Sequence, residues 1–314
     1  MLVNPWRSKG LRGPADADLS VDAGKVQDLL LRCPVAGVTA LLDSPEMAAA
    51  LGVEHLWIKD ERDRMGLGSF KALGAAYVIA REVDTRFQGN WDRTPEAVAG
   101  ALADVTYVTA SAGNHGLSVA AGARVFGAKA VIVLSENVPE GFAQRLQRFG
   151  ALVLREGIDY EESMAASKEL AEEEGWTLLS DSSWPGYTDI PRQVMEGYLV
   201  IGAEAAEQVE AIAYPPTHLF VQAGIGSLAA SIAAFARHQW GDQPVIVVVE
   251  PDRAPCLTES IRAGRAVRAD GPVSNMGRLD AKEPSHLALI ALARDADVFV
   301  TISDEEALDT VRFL

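Results

Sequence analysis

From Glu54 onward the chain alternates short apolar, β-branched runs with longer stretches whose apolar positions recur at helical spacing. HLWIKDE reads as a strand, followed by a helix that carries Lys71 within LGSFKALGAAYVIA. VTYVTA is strand-like and runs into SAGNHGLSVAAGARVFG, predicted helical from about Asn114 and ended by Gly127. AVIVL has the continuous apolar character of a strand covered on both faces. VPEGFAQRLQRFG places Pro139 near a helix start and Gly150 past its end. ALVLRE, an acidic amphipathic helix through EESMAASKELAEEEG, and WTLLSD follow. DIPRQVMEGYLVIGAEAAEQ predicts one helix, with Asp189 capping and Pro191 in its first turn. LFVQAG, IGSLAASIAAFARHQ, PVIVVVE, SHLALIALARDA and VFVTIS then repeat the strand and helix pattern. Such alternation implies an α/β fold with parallel sheets and right-handed crossovers. Residues 1–25, polar and rich in Gly, Pro and Asp, read as a loose lead-in. At the other end, Ser303 and Glu306 have capping-box spacing, and Ala307, Leu308, Val311 and Leu314 predict a helix with one buried face.

Charge and cysteine usage narrow what such a fold does. The net charge of −16 excludes a nucleic-acid partner of the counterion-releasing kind and otherwise reads as solubility. MLVNPWRSKG lacks the apolar centre of a secretory signal, and no apolar run approaches the roughly 20 residues of a spanning helix. Cys33 and Cys256 are the only cysteines, too few for a disulfide framework or a cysteine-rich zinc site. A cytoplasmic enzyme with no metal and no membrane is the expectation.

Three strand-to-helix junctions are unusually rich in small residues, and ligands of open α/β sheets collect at the carboxyl ends of strands. The first, GLGSFK, contains Lys71, with no carboxylate within a turn on either side. A buried, unpaired ammonium tends to lose its proton, and a neutral amine can form a Schiff base with a carbonyl. The plain alternative is a lysine whose stem snorkels to water. The second, SAGNHG, offers Asn114 in an unobstructed loop, either as a helix cap or as a ligand contact; His115 beside it reads as a packed, hydrogen-bonded histidine rather than a base. The third, QAGIGS, has glycines that let backbone N–H groups crowd one anion at a helix start. It lacks the third glycine of a dinucleotide fingerprint, which falls on Ala229, and the Lys-Ser/Thr pair of a P-loop. An amine for an aldehyde, a donor for a phenolate and a cradle for one phosphate together meet the needs of pyridoxal 5'-phosphate.

On these motifs the chain resembles the fold-type II pyridoxal-phosphate enzymes, and within them the diaminopropionate ammonia-lyases. WIKDERDRMGLGSFKALGAAY resembles the Schiff-base segment, SAGNHG the asparagine loop and QAGIGS the phosphate loop. DSSWPGYTDIP, VVEPDRAPCLTES and GRLDAKEPS add to the likeness, which extends over about residues 35–303. The resemblance implies a tryptophan-synthase-β-like fold of two parallel-sheet domains, residues 1–99 with 189–314 and residues 100–188, with the cofactor in the cleft. It implies that Lys71 carries the cofactor, that Asn114 meets its phenolic oxygen, and that Gly224, Ile225, Gly226 and Ser227 hold its phosphate. The backbone of Ser111, Ala112, Gly113 and Asn114 would take the carboxylate of a small amino-acid substrate, and Asp181, or Lys71 once freed, would remove the Cα proton. The implied reaction is α,β-elimination, from L-2,3-diaminopropionate to pyruvate and ammonia, by a homodimer. A serine, threonine or 3-hydroxyaspartate dehydratase, a β-replacement enzyme and a cofactor-binding protein without turnover are the alternatives.

Two departures shape these expectations. The lyases carry an Asp where this chain has Ala112, and the two family carboxylates serve opposite enantiomers; keeping only Asp181 implies L-selectivity or a different substrate. Asp181 would need a raised pKa to exchange protons near neutrality, and burial would supply it. The chain also stops at VRFL, where the family continues toward the pyridine nitrogen, so the natural polypeptide is expected to exceed 314 residues.

Overall fold

The alternating pattern resolves into three sheets in the computed structural model, which describes residues 1–13, 19–33, 35–90, 92, 94–211 and 215–313. In chain order the elements begin β1 (Leu2–Val3), α1 (Ala23–Leu30), β2 (Leu41–Asp43), α2 (Pro45–Leu51), β3 (Trp57–Lys59), α3 (Lys71–Arg86) and α4 (Pro95–Gly100). Then come β4 (Thr106–Ala110), α5 (Asn114–Val125), β5 (Lys129–Leu134), α6 (Glu140–Arg148), β6 (Leu152–Arg155), α7 (Tyr160–Glu174) and β7 (Thr177–Leu178). The remainder is α8 (Asp189–Gly197), α9 (Leu199–Glu210), β8 (His218–Gln222), α10 (Ser227–Trp240), β9 (Val245–Pro251), α11 (Cys256–Ala263), α12 (His286–Asp295), β10 (Val298–Ile302) and α13 (Asp304–Phe313). By contacts the chain groups into two units, Met1–Ala23 with Ser182–Leu314, and Gly24–Asp181.

In the unit Gly24–Asp181, a wholly parallel sheet runs in the order β6-β5-β4-β7. The chain steps outward from β4 to β6 and returns through α7 to the other side of β4. That reversal opens a crevice at the carboxyl ends of β4 and β7, the place where open sheets bind ligands. The sheet core is continuous and apolar: Val108, Ala110, Val131 and Val133 are all at most 3% exposed. Helix α3 lies directly on α5, and Gly122 permits the approach, since a Cβ there would sit 2.8 Å from Ile79 Cδ1. Gly127 ends α5 at φ +74, where a Cβ would meet Ala99 O at 1.9 Å, so only glycine fits. The strand HLWIKDE, by contrast, joins neither parallel sheet: β3 pairs antiparallel with β2 as a separate ribbon.

In the other unit, β8, β9 and β10 are parallel and β1 closes the far edge antiparallel to β10. The expected loose lead-in is thus corrected for residues 2–10; residues 14–18 lie outside the described residues. Asn4, 5% exposed, donates from Nδ2 to Leu292 O, Ala293 O and Ala296 O at 3.3, 3.0 and 2.6 Å, which satisfies carbonyls at the end of α12. Trp6 Nε1 donates to Ile261 O at 2.8 Å. Glycine- and proline-rich composition hid an ordered strap, because its order comes from single polar bonds rather than from periodicity. The helix expected over 189–208 is two helices meeting at Tyr198, with Thr188 rather than Asp189 at the N-cap position. The buried face expected of the last helix is absent among its described residues: Leu308 and Val311 are 50% and 69% exposed, and α13 is anchored instead by its polar start. There the capping box forms, with Ser303 N donating to Glu306 Oε2 at 2.7 Å and Glu306 N to Ser303 Oγ at 3.1 Å. Leu314 lies outside the described residues. No described helix is long and apolar enough to cross a membrane.

Candidate functional site

Lys71 is the first residue of α3, not a residue one turn inside it, and its side chain is 24% exposed. An ammonium at a helix start opposes the macrodipole and needs a compensating anion. Asp181, 110 positions on in the chain, provides it: Lys71 Nζ donates to Asp181 Oδ2. The expectation of a buried, unpaired lysine is corrected here, because the partner comes from the exit of β7 and no local reading could show it. Phe70 adds its ring face 5.8 Å from Nζ.

Asp181 is 13% exposed in its side chain. Burial alone would raise its pKa, but the Lys71 ammonium outweighs burial and holds the carboxyl well below the usual carboxylate range. The expectation of a raised pKa therefore fails for the cofactor-free protein, for an electrostatic reason: the nearest group carries the opposite charge. Tyr160, at the start of α7, is 52% exposed but lies in the same field; partial desolvation and the Asp181 charge push its pKa up. Sequence reasoning missed it, since a tyrosine at a helix start has no local signal.

The loop Ser111–Gly113 follows β4 and enters α5 at the crevice. Ser111 Oγ accepts from Gly113 N at 3.3 Å and Gly116 N at 3.0 Å, tying the turn of the loop to the first turn of the helix. A Cβ on Gly116 would lie 2.8 Å from Ser111 O, so this approach requires glycine. Ala112 is exposed at the tip, and Asn114 is the first residue of α5. His115 is 3% exposed and its Nε2 lies 2.8 Å from Leu179 O. A carbonyl only accepts, so Nε2 carries the proton; burial lowers the ring's pKa and keeps it neutral. This matches the packed histidine expected, and it joins α5 to the strand end that carries Asp181.

In the other unit, Gly224–Ser227 links β8 to α10. Gly226 has φ +97, and a Cβ there would meet Leu257 Cδ1 at 3.1 Å and Ala288 Cβ at 3.2 Å. A Cβ on Gly224 would meet Leu279 Cα at 3.3 Å. Ser227 begins α10, so the N–H groups of its first turn point out of the helix start. Its backbone N–H groups could hold an anion, and Gly224–Ser227 contains no basic residue. Lysine amine, carboxylate, helix-start loop and glycine cradle all suit a phosphorylated aldehyde cofactor. Among the described residues no cluster could hold a metal ion.

A family model described as pyridoxal-phosphate dependent enzyme matches residues 33–314. The diaminopropionate ammonia-lyase of Escherichia coli K12 is 30% identical over 280 residues, 88% of this chain and 70% of that protein. The biosynthetic L-threonine dehydratase of Pasteurella multocida is 32% identical over 75% of this chain, but over only 40% of its own length. A crystal structure of the Escherichia coli diaminopropionate ammonia-lyase, in complex with an aminoacrylate-PLP azomethine reaction intermediate, superposes with a TM-score of 0.86 at 26% identity, covering 98% of this chain and 77% of that one.

Proposed function

The chain belongs to the pyridoxal-phosphate dependent enzymes, of fold type II, and we propose that it is an ammonia-lyase acting by α,β-elimination on L-2,3-diaminopropionate. The observation that carries this reading is the Lys71–Asp181 pair beside the helix-start loop at the crevice of the parallel sheet. The cofactor, when bound, supplies a carbonyl that condenses with amines and an electron sink that stabilises a carbanion at Cα.

The chain's own residues do the rest. Lys71 Nζ is the amine that would hold the cofactor's aldehyde carbon and give way to the substrate's amine. Asn114 would meet the cofactor's phenolic oxygen, and Gly224, Ile225, Gly226 and Ser227 would hold its phosphate by backbone N–H groups. The loop Ser111–Asn114 orients the substrate carboxylate. Asp181 Oδ2 takes the Cα proton. Its low pKa in the resting pair reflects Lys71 alone among strong cations, so displacement of that charge lets burial raise it toward a working range. With Ala112 in the loop, no carboxylate there serves the opposite face, which favours the L enantiomer.

Ala112 also supports a second reading, elimination of water from serine, threonine or 3-hydroxyaspartate, since a small apolar residue at the tip leaves room for a hydroxylated β-carbon. Pyruvate and 2-oxobutyrate formation on a panel of L- and D-amino acids separates the two. Turnover of L-2,3-diaminopropionate ahead of L-serine and L-threonine supports the first, and the reverse order overturns it. Three further parts of the proposal need their own tests: a homodimer, which rests on the resemblance, a cytoplasmic setting, which rests on composition, and domains 1–99 with 189–314 and 100–188, which rest on the resemblance. Sedimentation tests the first, fractionation the second, and limited proteolysis distinguishes the third from a division at residues 23 and 182.

A further inference from the structure

The glycine cradle has no charged residue of its own, so something else must fix its shape. Behind it stands Glu250, at the end of β9, with no exposed surface. Its carboxyl oxygens accept from Leu257 N at 2.7 Å, Thr258 N at 2.8 Å and Thr258 Oγ1 at 2.7 Å. These are donors of the first turn of α11, so that helix start is already occupied by a carboxylate of the protein itself. The same turn makes the back wall of the cradle. Cys256 Sγ donates to Gly224 O at 3.5 Å, Leu257 reaches to 3.1 Å of the Cβ position of Gly226, and Ser285 N donates to Ile225 O at 3.0 Å from the start of α12.

We propose that Glu250 and Cys256 are positioning residues for the cofactor's phosphate: Glu250 pins the first turn of α11, and the Cys256 thiol fixes the Gly224 carbonyl so that the following N–H groups face the anion. This rests on the reading of Gly224–Ser227 as the phosphate cradle. Burial and the neighbouring Glu250 charge push the Cys256 thiol's pKa up, so it remains a donor. A carboxylate placed on three donors loses them all when it is shortened to a methyl group, whereas a serine in place of the cysteine retains an O–H to donate. Both residues are fully buried and act on the cradle through α11 and the Gly224 carbonyl.

The test compares pyridoxal phosphate with pyridoxal, which lacks the phosphate, as ligands of the cofactor-free full chain. Dissociation constants are read from the visible band and by calorimetry. Glu250→Ala and Cys256→Ala should each weaken pyridoxal phosphate binding by about tenfold, the scale of one lost hydrogen bond to a charged group. Pyridoxal binding should change by less than about twofold, because a loosened cradle is invisible to a ligand with no phosphate. Cys256→Ser should restore the wild-type value. Thr258→Val removes one donor with little volume change and gives a second route if Glu250→Ala fails to fold; it should weaken pyridoxal phosphate selectively. Equal losses for both ligands, or none, in folded variants overturn the positioning role. A wild-type protein that binds pyridoxal as tightly as pyridoxal phosphate removes the cradle reading itself, and this proposal with it.

Discussion

The loops after β4 and after β8 share a construction, a parallel strand running into small residues and then a helix, yet they are held in opposite ways. The β4 loop lies in mid-sheet at the reversal of strand order, and side chains shape it: Ser111 ties the turn, His115 bridges to Leu179, and the Lys71–Asp181 pair belongs to the same unit. The β8 loop follows an edge strand with no reversal beside it, and its shape comes from backbone pressed against Leu257, Ala288 and Leu279. A topological crevice leaves room for functional side chains, while an edge loop needs a wall built behind it. Damage to the first should follow from deleting atoms of its own side chains, and damage to the second from adding atoms to its glycines or removing them from the wall behind.

The largest effect expected is on the side-chain site. Lys71→Ala should abolish the visible band of the bound cofactor and lower kcat by at least about three orders of magnitude, measured by absorbance and by α-keto acid formation. Borohydride treatment of the wild type should leave the cofactor mass on the peptide that contains Lys71. Asp181→Asn should lower kcat on the L substrate by at least about 10²-fold while the band persists. Activity that survives this change would make Lys71 the base.

Adding one methyl group to the other loop is next. Gly226→Ala places a side chain at φ +97 against Leu257 and Ala288, at a cost of about 1 kcal/mol or more. Half-saturation by pyridoxal phosphate should rise accordingly, with kcat at saturation little changed. In contrast, Ser111→Ala removes only a turn-stabilising acceptor and should cost about 1 kcal/mol in urea unfolding.

How much of this was open to inspection in the primary structure depended on the range of the interaction. The strands with continuous apolar runs and the helix start at Asn114 lie where the pattern places them, because burial on both faces and end signals are local. All three small-residue loops were visible for the same reason. The partner of Lys71 was not, since the pair is made across 110 positions by a return strand of two residues. Glu250 was equally hidden: its three hydrogen bonds are all with one turn of α11, two of them with backbone N–H groups that leave no mark in side-chain chemistry. The strap at residues 2–10 was misread because one asparagine and one tryptophan order it.

The smallest effects expected are in stability against pH for the cofactor-free protein, and they again separate the two regions. Asp181 has a lowered pKa, so its stabilising contribution is present above the ordinary carboxylate range and is lost as pH falls through its folded value. Glu250 is pushed up to about 7, chiefly by burial, against the pull of the Thr258 and Leu257 donors. Its contribution is present below its ordinary value of 4.5 and is lost as pH rises through about 7. Urea midpoints should therefore lose their acid-side dependence in Asp181→Asn and their decline between pH 4.5 and 7 in Glu250→Gln. Unchanged profiles in both would mean that neither carboxyl is perturbed in solution.

The pairing of β1 with β10 has a consequence for biosynthesis. Leu2 and Val3 find their partners in Phe299 and Val298, far later in the chain. The unit Gly24–Asp181 is one uninterrupted stretch and can close as soon as it is translated. The unit that contains β1 must hold that strap unpaired until β10 has been made, and nascent chains arrested after residue 200 should show a protease-resistant Gly24–Asp181 core with the strap still open to cleavage.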